Sequence, residues 1–169
     1  LAAGRCCVLP GTHSKWAWMG AGDAVQSFQT YLTGELYAVL TQHSILGRGM
    51  QPGGGRPQAF ADGARLGLAE HAHLSHLVFA ARTAGLTGQR APDELPDFLS
   101  GLLIGAEVGS ACARGAPDTV TLLGEDALIE RYATALQLAG RQVQRAPADA
   151  TTQGQWRVAV AAGLVRPGP

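Results

Sequence analysis

Lysine is nearly absent from this chain: Lys15 is the sole lysine, and the rest of the 13 basic residues are arginines. Net charge is absent as well, because 13 acidic residues balance them. A balanced chain offers no general electrostatic attraction to nucleic acid or to an anionic membrane surface. Cysteine is scarce. Cys6, Cys7 and Cys112 make no metal-ligand spacing, and the adjacent Cys6 and Cys7 point to opposite faces of any strand. An odd cysteine count without a signal-peptide-like stretch predicts reduced thiols in a cytosolic protein. No apolar run reaches the ~18 residues of a membrane span. What is present is a 169-residue chain, 46% hydrophobic and 15% charged, the composition of one globular domain with a sizeable core.

The lone lysine falls in the most distinctive stretch, Cys6-Cys7-Val8-Leu9-Pro10-Gly11-Thr12-His13-Ser14-Lys15-Trp16-Ala17-Trp18. Cys6 to Leu9 is an apolar run suited to a buried strand. Pro10 and Gly11 stop it, since Pro fixes its own φ and Gly tolerates φ > 0. Thr12, His13, Ser14 and Lys15 then gather two hydroxyls, an imidazole and an ammonium in one turn, and Trp16 and Trp18 resume an alternating strand. Small residues, exposed N–H groups, hydroxyls and one lysine suit an anion, phosphate above all. The alternative is an ordinary hairpin with a polar tip.

A third strand is expected over 24–30, after a Gly20-Ala21-Gly22-Asp23 turn, completing a meander. A helix over 33–44 follows, with Thr33 as N-cap and Glu35 in its first turn. The glycine-rich stretch 50–57 reads as a connector without GxGxxG spacing. Helices are expected over 57–71 and 74–84. His71, His73 and His76 are spaced poorly for one helical face and have no acidic or Cys partner beside them; they read as a weak metal pattern or as solvent-facing residues at a helix junction.

The longest helix is expected over 93–114, capped by Asp93 and apolar nearly all round, hence buried. Gly101, Gly105 and Gly109 recur every fourth residue and leave a smooth stripe for another backbone. Glu107 lies inside this apolar stretch and needs a partner there: a ligand, a metal-bound water or a structural hydrogen bond. The last third reads as a strand over 119–123, a turn at Gly124-Glu125-Asp126, a helix over 127–139, a strand over 142–145 and a helix over 152–165. A strand–helix–strand unit implies parallel strands, with ligands past their carboxyl ends, where Gly124 falls.

A meander followed by alternating helices and strands resembles a ribonuclease H-like half of the actin, hexokinase and sugar-kinase superfamily, an α/β fold on a mixed sheet. Five stretches narrow the likeness: Leu9 to Trp16, Leu32-Thr33-Gly34-Glu35-Leu36, His43-Ser44-Ile45-Leu46-Gly47, Phe98 to Val108, and Arg131-Tyr132. Together they resemble the 2-dehydro-3-deoxygalactonokinase family. The resemblance implies ATP-dependent phosphorylation of 2-dehydro-3-deoxy-D-galactonate at its C6 hydroxyl, with Mg2+, in the cytoplasm. It implies that residues 1–169 form the C-terminal domain of a two-domain sugar-acid kinase, with a helical insertion over 48–92 and a partner N-terminal half before Leu1. That half would carry the first phosphate loop, the sugar-acid contacts and the catalytic base. Gly11, Thr12, His13, Ser14 and Lys15 match the second phosphate-binding loop. Gly124 and Glu125 match the turn that approaches adenosine, although the acidic Glu125-Asp126 pair departs from the small or hydroxyl residues common there. Thr33, Gly34 and Glu35 match a cleft motif, and Glu107 is a further cleft candidate. Two alternatives remain: a nucleotide-binding or regulatory module without turnover, and a homodimer built on the glycine stripe.

Overall fold

A computed structural model describes residues 5–52 and 54–166. Gly53, in the expected connector, lies outside the described residues. Five strands form one mixed sheet: β1 (Cys6–Leu9), β2 (Ser14–Met19), β3 (Val25–Tyr31), β4 (Thr119–Leu122) and β5 (Gln142–Arg145). Their order is β3-β2-β1-β4-β5. The meander pairs antiparallel, while β4 joins β1, and β5 joins β4, in parallel. This is the ribonuclease H-like arrangement. Between β3 and β4 come α1 (Thr33–His43), α2 (Pro57–Ala69), the short α3 (Leu74–Leu77), α4 (Phe79–Leu86) and α5 (Leu95–Ala113); α6 (Asp126–Leu138) and α7 (Ala150–Ala161) flank β5. Among the described residues no helix is long and apolar enough to cross a membrane.

Helix α5 is the centre of the molecule because its apolar residues run round its whole circumference. Ile104, Val108 and Ala111 pack with Val8, Trp16, Val120, Leu122 and Leu136 on one face of the sheet. Phe98, Leu99, Leu102 and Leu103 pack on the other side with Ala59, Leu77 and Ala81 of α2–α4. The opposite face of the sheet is more open: Phe28 is 68% exposed and Leu9 38%.

The glycine stripe of α5 is filled from within the chain. A Cβ added at Gly101 would sit 2.0 Å from Phe60 O, and one at Gly105 2.3 Å from Ala64 O. The reciprocal sites on α2 are as tight, Gly63 at 2.1 Å from Phe98 O and Gly67 at 2.2 Å from Leu102 O. Gly109 faces the His71 side chain. The stripe therefore cannot be a homodimer surface, since α2 already occupies it.

Three local expectations are corrected. Thr33 is the first residue of α1, with Leu32 at the cap position and no side-chain cap. The long helix starts at Leu95 with Pro96 in its first turn, where the missing proline N–H costs nothing; Asp93 instead accepts a hydrogen bond from Arg56. The helix expected over 74–84 is interrupted at Val78.

Candidate functional site

The β1–β2 hairpin closes on a Leu9–Lys15 pair, and because β2 already starts at Ser14, residues 10–13 form the turn between the strands. Strand alternation then sorts the side chains. Ser14 and Trp16 are fully buried against the helices, whereas Thr12, His13 and Lys15 are exposed. The start of α1 is seated under the turn. Glu35 N–H donates to Thr12 O at 3.0 Å. A Cβ on Gly34 would stand 2.6 Å from Gly11 O and 2.8 Å from Thr12 Cα, so only glycine permits this approach. His13 Nε2 meets the Glu35 carboxylate, and Lys15 Nζ donates to His13 O at 2.6 Å, which holds the only lysine against the turn.

The second turn arrives through the sheet. Leu123 N–H donates to Val8 O at 2.9 Å, which brings the β4–α6 connection to the end of β1. Gly124 rests beside Pro10, with a hypothetical Cβ 3.5 Å from Pro10 Cδ. Glu125 takes the cap position of α6 without a side-chain hydrogen bond. The Asp126 carboxylate lies 4.0 Å from Arg145 on β5.

A cavity of about 220 Å³ opens beside the hairpin turn, lined by Gly11, Thr33, Gly34, Tyr37, Arg131 and Tyr132 among others. A second cavity of about 390 Å³ lies between the start of α2 and α6, lined by Arg56, Phe60, Asp97, Ala127 and Arg131. Arg131 belongs to both. Its guanidinium bonds Asp97 and sits 5.2 Å over the Phe60 ring. Asp97 is nearly buried and also accepts Arg56 N–H at 2.9 Å. Burial raises the Tyr37 phenol above its ordinary value, with Arg131 opposing and Asp97 adding to that shift.

Residues 2–158 match the family model described as 2-keto-3-deoxy-galactonokinase. The chain belongs to this family. A 2-dehydro-3-deoxygalactonokinase of Escherichia coli (strain K12) is 36% identical over 154 residues, covering 90% of this chain and 52% of that protein. A Rhizobium meliloti (strain 1021) protein assigned the same activity is also 36% identical over 154 residues, covering 88% of this chain and 50% of its own length. A crystal structure from Sinorhizobium meliloti, assigned to 2-dehydro-3-deoxygalactonokinase, superposes with a TM-score of 0.83 at 34% identity, over 96% of this chain and 55% of that one. The chain spans about half the length of the relatives it matches.

In this galactonokinase-family chain, three separate stretches expected at the site come together: Gly11, Thr12 and His13 with Lys15 beside them, 33–35, and 124–125. Two expected residues do not join them. Ser14 Oγ turns inward and donates to Glu107 at 2.7 Å, because β2 begins at Ser14 and alternation sends that side chain toward the helices. Glu107 is 3% exposed, and its carboxylate also accepts from Trp16 Nε1 and Tyr132 OH, each at 2.7 Å. It is held by structural hydrogen bonds rather than presented in the cleft. Burial and the neighbouring carboxylate lift the Tyr132 phenol far above its usual range. The histidines are engaged elsewhere: His71 Nδ1 is 3.0 Å from Leu68 O, and His73 Nδ1 is 3.3 Å from Glu70, so, against expectation, one of them does have an acidic neighbour. Among the described residues no group of three or more His, Cys, Asp or Glu is placed to share a metal.

Sequence reasoning passed over Arg131 and Asp97 as site residues. A signal for them exists. Arg131 is a cation next to Tyr132 on the inner side of α6, and Asp97 is, with Glu107, one of two acids in a mostly apolar helix.

Proposed function

We propose that this chain supplies the nucleotide-side half of a cleft that transfers phosphate from ATP to the C6 hydroxyl of 2-dehydro-3-deoxy-D-galactonate. The observation that carries the reading is Gly11. It lines the cavity, has no positive φ, and a Cβ there would meet nothing within 4 Å. The fold does not need glycine at this position, but a phosphate approaching the turn backbone does. The names of the half-matched relatives support the substrate, and the presence of a further half in those relatives supports a two-domain kinase.

ATP supplies the transferable phosphoryl group; the residues of this chain bind, orient and neutralise. The N–H groups of residues 11–13 and the Thr12 hydroxyl would donate to the phosphate oxygens, and Lys15 would add positive charge beside them. Glu35 holds His13 against the turn, so the imidazole stiffens the loop. The nucleoside side extends toward Gly124, Glu125 and Arg131, where the Asp97 brace and Phe60 keep the guanidinium in place. Mg2+ would enter with the phosphates and keep much of its water, as this ion commonly does. The catalytic base and sugar-acid contacts belong to the N-terminal half of a cytoplasmic enzyme, and the isolated 169-residue chain would bind nucleotide without turnover.

The test is ADP release by the intact gene product with several 2-keto-3-deoxy sugar acids. Thr12→Val and Lys15→Met should each cut kcat/KM by roughly a hundredfold, in line with lost charge-assisted phosphate contacts. Near-normal kcat/KM in both would sink the phosphate-turn assignment. Faster turnover of another sugar acid would redirect the substrate alone.

A further inference from the structure

One buried carboxylate lies outside the ligand-facing set yet bonds residues adjoining two of its parts, the hairpin turn and Arg131. Glu107, in the middle of α5, receives Ser14 Oγ and Trp16 Nε1 on one oxygen and Tyr132 OH on the other, each at 2.7 Å. Ser14 is the residue that follows the hairpin turn. Tyr132 follows Arg131 and lines the same cavity. A single side chain thus ties β2 and α6 to the central helix.

We propose that Glu107 is a positioning residue for the nucleotide: it fixes the span between the hairpin turn and the Arg131 wall of the cavity. This rests on the nucleotide reading above. The donor chemistry says how to test it. An indole N–H can only donate, whereas serine and tyrosine hydroxyls can donate or accept. Glutamine at this position keeps the volume and one acceptor oxygen, which serves both Ser14 and Trp16, while its amide donates to a Tyr132 hydroxyl turned acceptor. Glu107→Gln therefore leaves a satisfied core but replaces charge-assisted bonds with weaker neutral ones. Tyr132→Phe cuts the α6 arm alone.

The experiment is hydrogen exchange of the intact protein without ligand, beside calorimetric ATP titration. Glu107→Gln should unfold close to the wild-type temperature, bind ATP about tenfold more weakly, and exchange faster only in residues 9–16 and the cavity-lining part of α6. Unchanged affinity in the folded variant overturns the proposal, as does a uniform rise in exchange across the core strands, which is what a merely structural role produces. Should Glu107→Gln fail to fold, Tyr132→Phe and Ser14→Ala decide the matter: weakened ATP binding in either supports the role, and wild-type affinity in both removes it. Wild-type protein that binds no ATP overturns the nucleotide reading and with it the role toward nucleotide; the ligand-free exchange pattern then reports separately whether Glu107 ties the turn to α6.

Discussion

At the β1–β2 turn, several parts of the molecule close on four residues; at the β4–α6 turn beside it, the chain stands almost free. The first has Glu35 N–H on Thr12 O, Gly34 pressed against Gly11 and Thr12, Glu35 on His13, and Ser14 anchored below on Glu107. The second has one ladder hydrogen bond from Leu123, ordinary contact between Gly124 and Pro10, and exposed Glu125 and Asp126. A rigid turn suits phosphate oxygens, whose stabilisation depends on donors already aimed. A free one suits a nucleoside, whose ring and hydroxyls tolerate adjustment. On the proposed function, the difference teaches that preorganisation is concentrated where charge would be handled.

Matched glycine-to-alanine changes can break that comparison. Gly34→Ala should have the largest effect. Its methyl group meets three backbone atoms of Gly11 and Thr12 at 2.6–3.1 Å, so the turn must move; overpacking of this kind costs about 2 kcal/mol after the better helix propensity of alanine is allowed for. The unfolding midpoint should fall by about 4–8 °C, and ATP affinity should fall with it. An unchanged midpoint would mean that the turn is not seated on α1. Gly11→Ala comes next and should separate binding from folding. Its methyl group points into open space, so stability should hold within about 0.5 kcal/mol, while ATP binding weakens about tenfold because the methyl takes the phosphate's place. Equal affinity in calorimetry would remove Gly11 from the site. Gly124→Ala should do least. With neighbours at 3.5 Å and beyond, both melting and ATP titration should stay near wild type; a drop as large as that of Gly34→Ala would show the second turn to be as constrained as the first.

The meander and the closing strand–helix–strand unit were legible because local punctuation announces them: Pro10-Gly11 ends β1, Gly124 ends β4 and Gly140, with φ of 73°, ends α6. The boundaries that failed depended on neighbours. Thr33 looks like a cap in isolation, but the seating of Gly34 under the hairpin draws it into the first helical turn. Asp93 looks like one too, but Arg56 engages it. The α5 stripe was readable from its spacing, whereas its occupant was not, since Gly63 and Gly67 declare themselves only once α2 lies alongside. At the site, the turn was legible from residue chemistry. Ser14 was misassigned because it reads as part of the turn, whereas β2 already begins there, two residues before Trp16, and alternation buries it on the same side as Trp16. Arg131 and Asp97 were missed because they are 34 positions apart, and no local pattern reports a pair formed by tertiary packing.

The glycine seam between α2 and α5 also sets the mechanics of the cleft. At Gly63, Gly67, Gly101 and Gly105 backbone meets backbone, so these four contacts hold no side chain that could change rotamer or slide. Arg56 and Phe60 at the head of one helix and Asp97 at the head of the other are thus carried as one stiff block, and any closing movement around a ligand must hinge elsewhere.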